Sequence, residues 1–259
     1  MATAAALRIQ IEDALATRFP AALTPVVHTI RETATTGIAA VDTLLEGGLP
    51  VGAISELVGP ECSGRTSLAL AFAARRTAEG QVCAWIDAGD AFDPESAAAS
   101  GVRLRQLLWV RCGNHMAEKR GKPWARLDQA LRVTDLLLQA GGFAAIVLDL
   151  GGMDSAHGMR IPLASWFRFR QAADHTRCSL VVLGQASFAQ SSAAVVVDCM
   201  GGRAQSQGKT VLTASIFEFR RRRQRFAPQL VGQRKPPASV SDTQAAWTVH
   251  AAWSAEKSA

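Results

Sequence analysis

The sequence predicts an α/β protein with a mostly parallel central sheet flanked by helices and an antiparallel hairpin towards its end. Three observations carry this. Residues 53–58 form an apolar-rich, strand-like run, residues 59–67 a glycine loop, and residues 68–74 a helical run. Residues 82–87 and 146–149 are β-prone runs that each end in an acid, and between them Leu127, Leu131 and Leu138 recur at helical spacing, as a crossover between parallel strands requires. Residues 193–199 and 211–219 are β-prone runs joined by the polar stretch 201–209, which reads as a hairpin loop with a basic tip.

In chain order, Leu7, Ile11 and Leu15 lie four residues apart among charges, so residues 1–30 are expected to hold an amphipathic helix and a linker. Residues 36–45 read as a short helix that turns Val41, Leu44 and Leu45 inward and closes at Gly47 and Gly48. Residues 31–232 form the expected core, followed by a Pro-rich linker at 233–239 and a closing strand or docking segment at 245–253.

The glycine loop carries the first chemistry. Gly59, Pro60, Glu61, Cys62, Ser63, Gly64, Arg65, Thr66 and Ser67 place two glycines five residues apart just ahead of a helix. That spacing lets successive backbone N–H groups converge on one anion while the helix N-terminus adds its dipole. An ordinary glycine turn before a helix is the competing reading. In a phosphate-binding loop Thr66 would offer its hydroxyl to Mg²⁺. Arg65 stands where the motif places lysine, and a planar, forked guanidinium fits poorly in a hole shaped for an ammonium. Asp149, at the end of its strand, is the expected metal-side acid opposite Thr66, or else a cap for the loop that follows.

Composition excludes several classes. With 259 residues, 48% of them hydrophobic, the chain can bury a full core, and no apolar run approaches the roughly 20 residues of a membrane span. Arg8, Glu12 and Asp13 interrupt the segment where a signal peptide would need an apolar stretch. Five scattered cysteines without a C-x-x-C pair fit neither a disulfide framework nor a zinc site. A cytoplasmic location follows as the expectation. The net charge of +6 is uneven: residues 203–235 hold +8, which leaves −2 for the rest. Arg203, Lys209, Arg220, Arg221, Arg222, Arg223 and Arg225 therefore read as an electrostatic footprint for a polyanion, nucleic acid above all. A solvated, aggregation-resistant edge strand is the alternative.

Thr36-Gly37-Ile38, Val41-Asp42, Gly47-Gly48-Leu49-Pro50 and the loop 59–67 together resemble the ATPase core of the RecA family. The likeness continues through residues 80–88, 92–94, 146–149 and 181–185. It implies a RecA-like P-loop NTPase fold, bound ATP and Mg²⁺, and self-association. It also implies a water-activating glutamate, and here Gly89 occupies the aligned position. Asp90 is the remaining candidate, although adjacent residues of an extended chain point to opposite sides. The family's adenine-stacking tyrosine aligns with Ser96, and the chain contains no tyrosine. Gln185 matches the family's γ-phosphate sensor, or is a strand-end side chain bonded to backbone. The segment 186–192 after it is too short for the family's glycine-rich DNA loop. Altered together, Arg65, Gly89 and Ser96 imply weak or absent turnover. This combination resembles the ImuA-type RecA relatives, accessories to an error-prone polymerase assembly in the DNA-damage response. A DNA-dependent recombination ATPase and a SulA-like division inhibitor are the alternatives.

Overall fold

The computed structural model describes residues 29–113, 123–207, 211–228 and 243–250. The expected N-terminal helix around Leu7, Ile11 and Leu15, the hairpin-tip Lys209 and the linker at 233–239 lie outside the described residues. In chain order the elements are β1 (Thr29–Arg31), β2 (Thr33–Ala34), α1 (Ala39–Leu44), β3 (Leu49–Pro50), β4 (Ile54–Val58), α2 (Arg65–Ala78) and β5 (Cys83–Asp87). They continue as α3 (Pro94–Ala99), β6 (Leu107–Arg111), α4 (Pro123–Ala140), β7 (Ala145–Asp149), α5 (Ser155–Gly158), α6 (Leu163–Thr176) and β8 (Ser179–Gly184). The last are β9 (Ala193–Gln207), β10 (Val211–Gln224), β11 (Phe226–Pro228) and β12 (Gln244–His250).

Eight strands form the main sheet in the order β12-β10-β9-β4-β8-β7-β5-β6. From β9 to β6 every pairing is parallel, and β10 and β12 add antiparallel at one side. The parallel strands β4, β5, β7 and β8 are buried along their whole length, which is why they read as apolar-rich runs without the alternation of a half-exposed strand.

Two apolar layers sandwich the sheet. On one face Val41, Leu44 and Leu45 join Leu68 and Phe72 of α2 against Leu57, Trp85, Val147 and Leu183. On the other face α4 supplies Leu127 and Leu138, and α6 supplies Trp166 and Phe169, against Ile54, Ile86, Ile146 and Val182. The acids that end the strands fall together: Asp87 pairs with Asp149, and Val58 pairs with both Gly184 and Asp198. The carboxyl ends of the sheet therefore form one crevice, the place where open parallel sheets bind ligands.

One sequence expectation is corrected. Residues 201–209 were expected to be a loop, but β9 runs on through Gly201, Gly202 and Arg203 to Gln207 and stays paired with β10. Gly201 has φ +98°, and the register shifts between the Phe217 and Phe219 pairings, so the glycines mark a bulge within the strand and not its end.

Candidate functional site

Gly59 leaves β4 beneath β9. A Cβ on it would lie 2.3 Å from the Cys199 carbonyl oxygen and 2.7 Å from Ser63 Oγ, so only glycine fits. Gly64 has φ +86° and would bring a Cβ within 2.5 Å of the Phe217 ring, so backbone conformation and close contact both demand glycine there. The loop between them opens on a cavity of about 560 Å³ lined by Glu61 to Ser67, by Asp149, Gly151 and Gly152, and by Gly202, Ala204, Ser215 and Phe217 of the hairpin. The hairpin wall was not legible from the loop motif. Its one sequence signal is the glycine pair opposite Phe217, which by local pattern alone spells a loop.

Within this cavity Thr66 is exposed, and Ser63 is buried with no hydrogen-bond partner for its Oγ among the described residues. An orphaned buried hydroxyl at the N-terminus of a 14-residue helix, beside a glycine cradle, is matched to an anionic oxygen. Asp149 lines the same cavity, accepting a 2.9 Å bond from the Gly151 N–H. Burial raises its carboxyl above the ordinary value, and neighbouring Asp87 adds to the rise, while Gly151 N–H and Arg65 oppose it. A divalent cation held between Asp149 and Thr66 would favour the ionised form. The residues present thus fit a magnesium nucleotide in cradle, hydroxyl and acid.

Arg65 departs from what a P-loop cation does. It is buried, with Nη1 donating to the Gly59 carbonyl and Nη2 donating at 3.0 Å to the Gly151 carbonyl. The guanidinium staples the start of the cradle to the loop after β7. Gln185 Nε2 donates to the same Gly151 oxygen at 3.3 Å, so this side chain is engaged with backbone.

The acids near the missing glutamate are also committed. Asp87 is fully buried and accepts from the Ala91 N–H at 3.0 Å and the Phe92 N–H at 2.9 Å, which fixes the turn carrying Gly89. Asp90 adopts φ +56° and binds Arg111 in a bidentate pair at 2.7 and 2.9 Å, and it does not line the cavity. Ser96 bonds to Asp93, the cap of α3, and its hydroxyl holds the Asp93 carboxyl below the ordinary value.

Residues 10–153 match the RecA N-terminal domain. The chain belongs to the RecA family. Protein RecA of Cutibacterium acnes is 42% identical over 115 residues, which cover 44% of this chain and 30% of that protein. Protein RecA of Allorhizobium ampelinum is 40% identical over 119 residues, or 46% of this chain and 30% of its own length. The matched stretches therefore span about a third of these relatives. The crystal structure of the RadB recombinase superposes with a TM-score of 0.51, covering 74% of this chain and 91% of that one at 17% identity, a likeness of fold. Within the RecA-family core the cradle, Thr66 and Asp149 converge on one cavity, whereas Asp90 and Gln185 stand outside its lining.

The basic segment does not form a single face. Strand alternation divides it: Arg220 and Arg222 both ion-pair with buried Asp198, while Arg221 pairs with Glu46 at 2.7 Å. Arg223 donates to the Gln190 carbonyl, Arg225 to the Ser191 carbonyl at 2.9 Å, and Arg203 pairs with Glu218. Arg203 remains 80% exposed, with Arg220 and Arg222 near half, so these three present charge to solvent.

One residue the sequence reading passed over organises the loop after β8. Glu56, on the central strand, accepts from the Ser187 hydroxyl, the Phe188 N–H at 2.6 Å and the Ala189 N–H at 2.7 Å. Phe188 packs so closely against Gly158 and Gly184 that a Cβ at either would lie within 2.5 Å of its ring. A lone carboxylate inside an apolar-rich strand run was the available signal.

Proposed function

We propose that this RecA-family chain is an accessory in the DNA-damage response that binds a magnesium nucleotide without efficient turnover. In this reading it holds single-stranded DNA on the exposed arginines and serves an error-prone polymerase assembly in the cytoplasm. The observation that carries the proposal is the commitment of Arg65 to the Gly59 and Gly151 carbonyls. A guanidinium held there strengthens the cradle and is not free to follow charge onto a leaving phosphate. Gly89 offers no carboxylate to activate water, and Asp90 is bound by Arg111. When bound, the nucleotide would supply phosphate charge, which the cradle N–H groups, Ser63 and Thr66 are placed to bind, with Asp149 holding magnesium. The loop after β8, folded inward on Glu56, supports a DNA contact made elsewhere than in a long glycine-rich loop.

A second reading, a RecA-type recombination ATPase that self-associates, is favoured by the meeting of Gly64, Thr66 and Asp149 in one cavity, with Gly59 kept at the start of the loop. Titration with a fluorescent ATP analogue and with a labelled oligothymidylate separates the two. The accessory reading predicts saturable, magnesium-dependent nucleotide binding, DNA binding weakened by Arg203→Gln with Arg222→Gln, and recovery of the bound ATP unhydrolysed. Absence of nucleotide binding, or DNA binding indifferent to both substitutions, would contradict it.

A further inference from the structure

The amino ends of the strands carry a second charged recess, of about 340 Å³, lined among others by Arg31, Arg170, Asp174, Ser191, Ser192 and Arg225. Ala193, which opens β9, pairs with Ile54, the first residue of β4. At about 3.3 Å per strand residue, the recess lies roughly 15 Å along the sheet from Gly59, beyond the reach of anything held in the cradle.

Three guanidiniums and one carboxylate line this recess. Arg31 Nη1 donates to Asp174 Oδ1 at 2.6 Å and to the Gly52 carbonyl at 2.8 Å, and Arg225 Nη1 donates to the Ser191 carbonyl at 2.9 Å. The Arg170 guanidinium lies 5.0 Å from the centre of the Phe167 ring. Each contact fixes a side chain through one nitrogen or one face, and a guanidinium carries five N–H donors, so capacity remains towards the recess. Asp174 offsets a single charge. Arg223 stands nearby with its Nη2 on the Gln190 carbonyl; burial first, and then neighbouring Arg225, lower its pKa from the ordinary value, while Glu56 opposes the shift.

We propose that this recess binds a phosphate group, with Arg170 and Arg225 as its principal donors. Forked guanidiniums match phosphate oxygens in pairs, and the exposed Ser191 hydroxyl can complete the shell. The phosphate comes either from a nucleic-acid backbone or from a free anion. Only the first source rests on the DNA-binding reading above.

The test is thermal unfolding of the full chain in inorganic phosphate against sodium chloride of equal ionic strength, beside an Arg170→Gln/Arg225→Gln variant. Both arginines are exposed, so the variant should fold with at most a small drop in melting temperature in chloride, and the phosphate response of each protein is read against its own chloride value. The expected result is stabilisation by phosphate whose half-saturation rises about tenfold or more in the variant. The same pair is then titrated with a labelled oligothymidylate. A parallel loss, competed by phosphate, assigns the site to a backbone phosphate; unchanged DNA binding assigns it to a free anion and leaves the DNA reading untouched. A variant that keeps the full phosphate response, or a wild type that responds no more than in chloride, overturns the proposal.

Discussion

Position 65 shows how one substitution redirects a motif. Lysine would extend as a point charge towards bound phosphate, but the buried arginine forks back to two carbonyls, Gly59 and Gly151. Charged hydrogen bonds of this kind contribute about 1.5–3 kcal/mol each. Arg65→Lys should therefore lower stability by a few kcal/mol in urea unfolding while tightening ATP binding, and turnover should stay at baseline because Gly89 is unchanged. Glu56 is the second decisive residue. Glu56→Gln keeps one carbonyl acceptor for three donors that now share a carboxylate, so one or two buried groups lose their partner. A loss of about 1–3 kcal/mol is expected, with faster amide exchange at Phe188 and Ala189 as the local sign.

Among the elements, the β9–β10 hairpin and the cradle act as one unit because Phe217 lies against Gly64 and Gly202, with Trp247 of β12 behind it at 6.0 Å between ring centres. Phe217→Ala should weaken nucleotide binding several-fold and reduce stability by about 1–3 kcal/mol, less than for a fully buried ring. Cysteine chemistry reports on the same unit. Cys62 is exposed in the cradle, whereas burial pushes Cys83, Cys178 and Cys199 up to about 12 and Cys112 to about 11. A maleimide should add once, at Cys62, and magnesium ATP should slow that reaction; intact mass with peptide mapping checks both.

The strands that meet at the crevice were legible because fully buried parallel strands carry apolar-rich runs without strict alternation, as residues 53–58 and 146–149 do. The cradle was legible because glycine spacing is a local constraint. The course of β9 was not, since Gly201 and Gly202 signal a loop locally and only the Phe217 ring opposite explains them as a bulge. Nor could the run of arginines show that alternation and Asp198 would split it between two faces. The Gly151 partner of Arg65 and the partners of Asp90 and Glu56 lie far along the chain, beyond what local pattern can register.

For the whole molecule, the two apolar layers hold three thiols whose ordinary value of 9.0 is pushed to about 12. Unfolded, these thiols lose their protons above about pH 9, while the folded chain keeps them bound until about 12. Stability from this source is complete below pH 9 and falls as pH rises through that window, by about 1.4 kcal/mol per unit for each thiol. Urea midpoints between pH 8 and 11 should decline accordingly, and Cys83→Ala should flatten the slope relative to its own value at pH 8.

Among the described residues, no helix is long and apolar enough to cross a membrane, and no cluster of His, Cys, Asp and Glu forms a metal site of its own. The cavity at the carboxyl ends of the sheet gathers the glycine loop, Thr66 and Asp149, and there the RecA-family chemistry is either kept or lost. Steady-state Mg-ATP turnover by the purified chain, with and without single-stranded DNA and beside Asp149→Ala, decides between these most directly. The account predicts that wild type does not exceed the Asp149→Ala baseline under either condition, although ATP binds. DNA-stimulated turnover that disappears in Asp149→Ala would contradict it and would require a carboxylate elsewhere in the chain to activate water, since residue 89 is glycine.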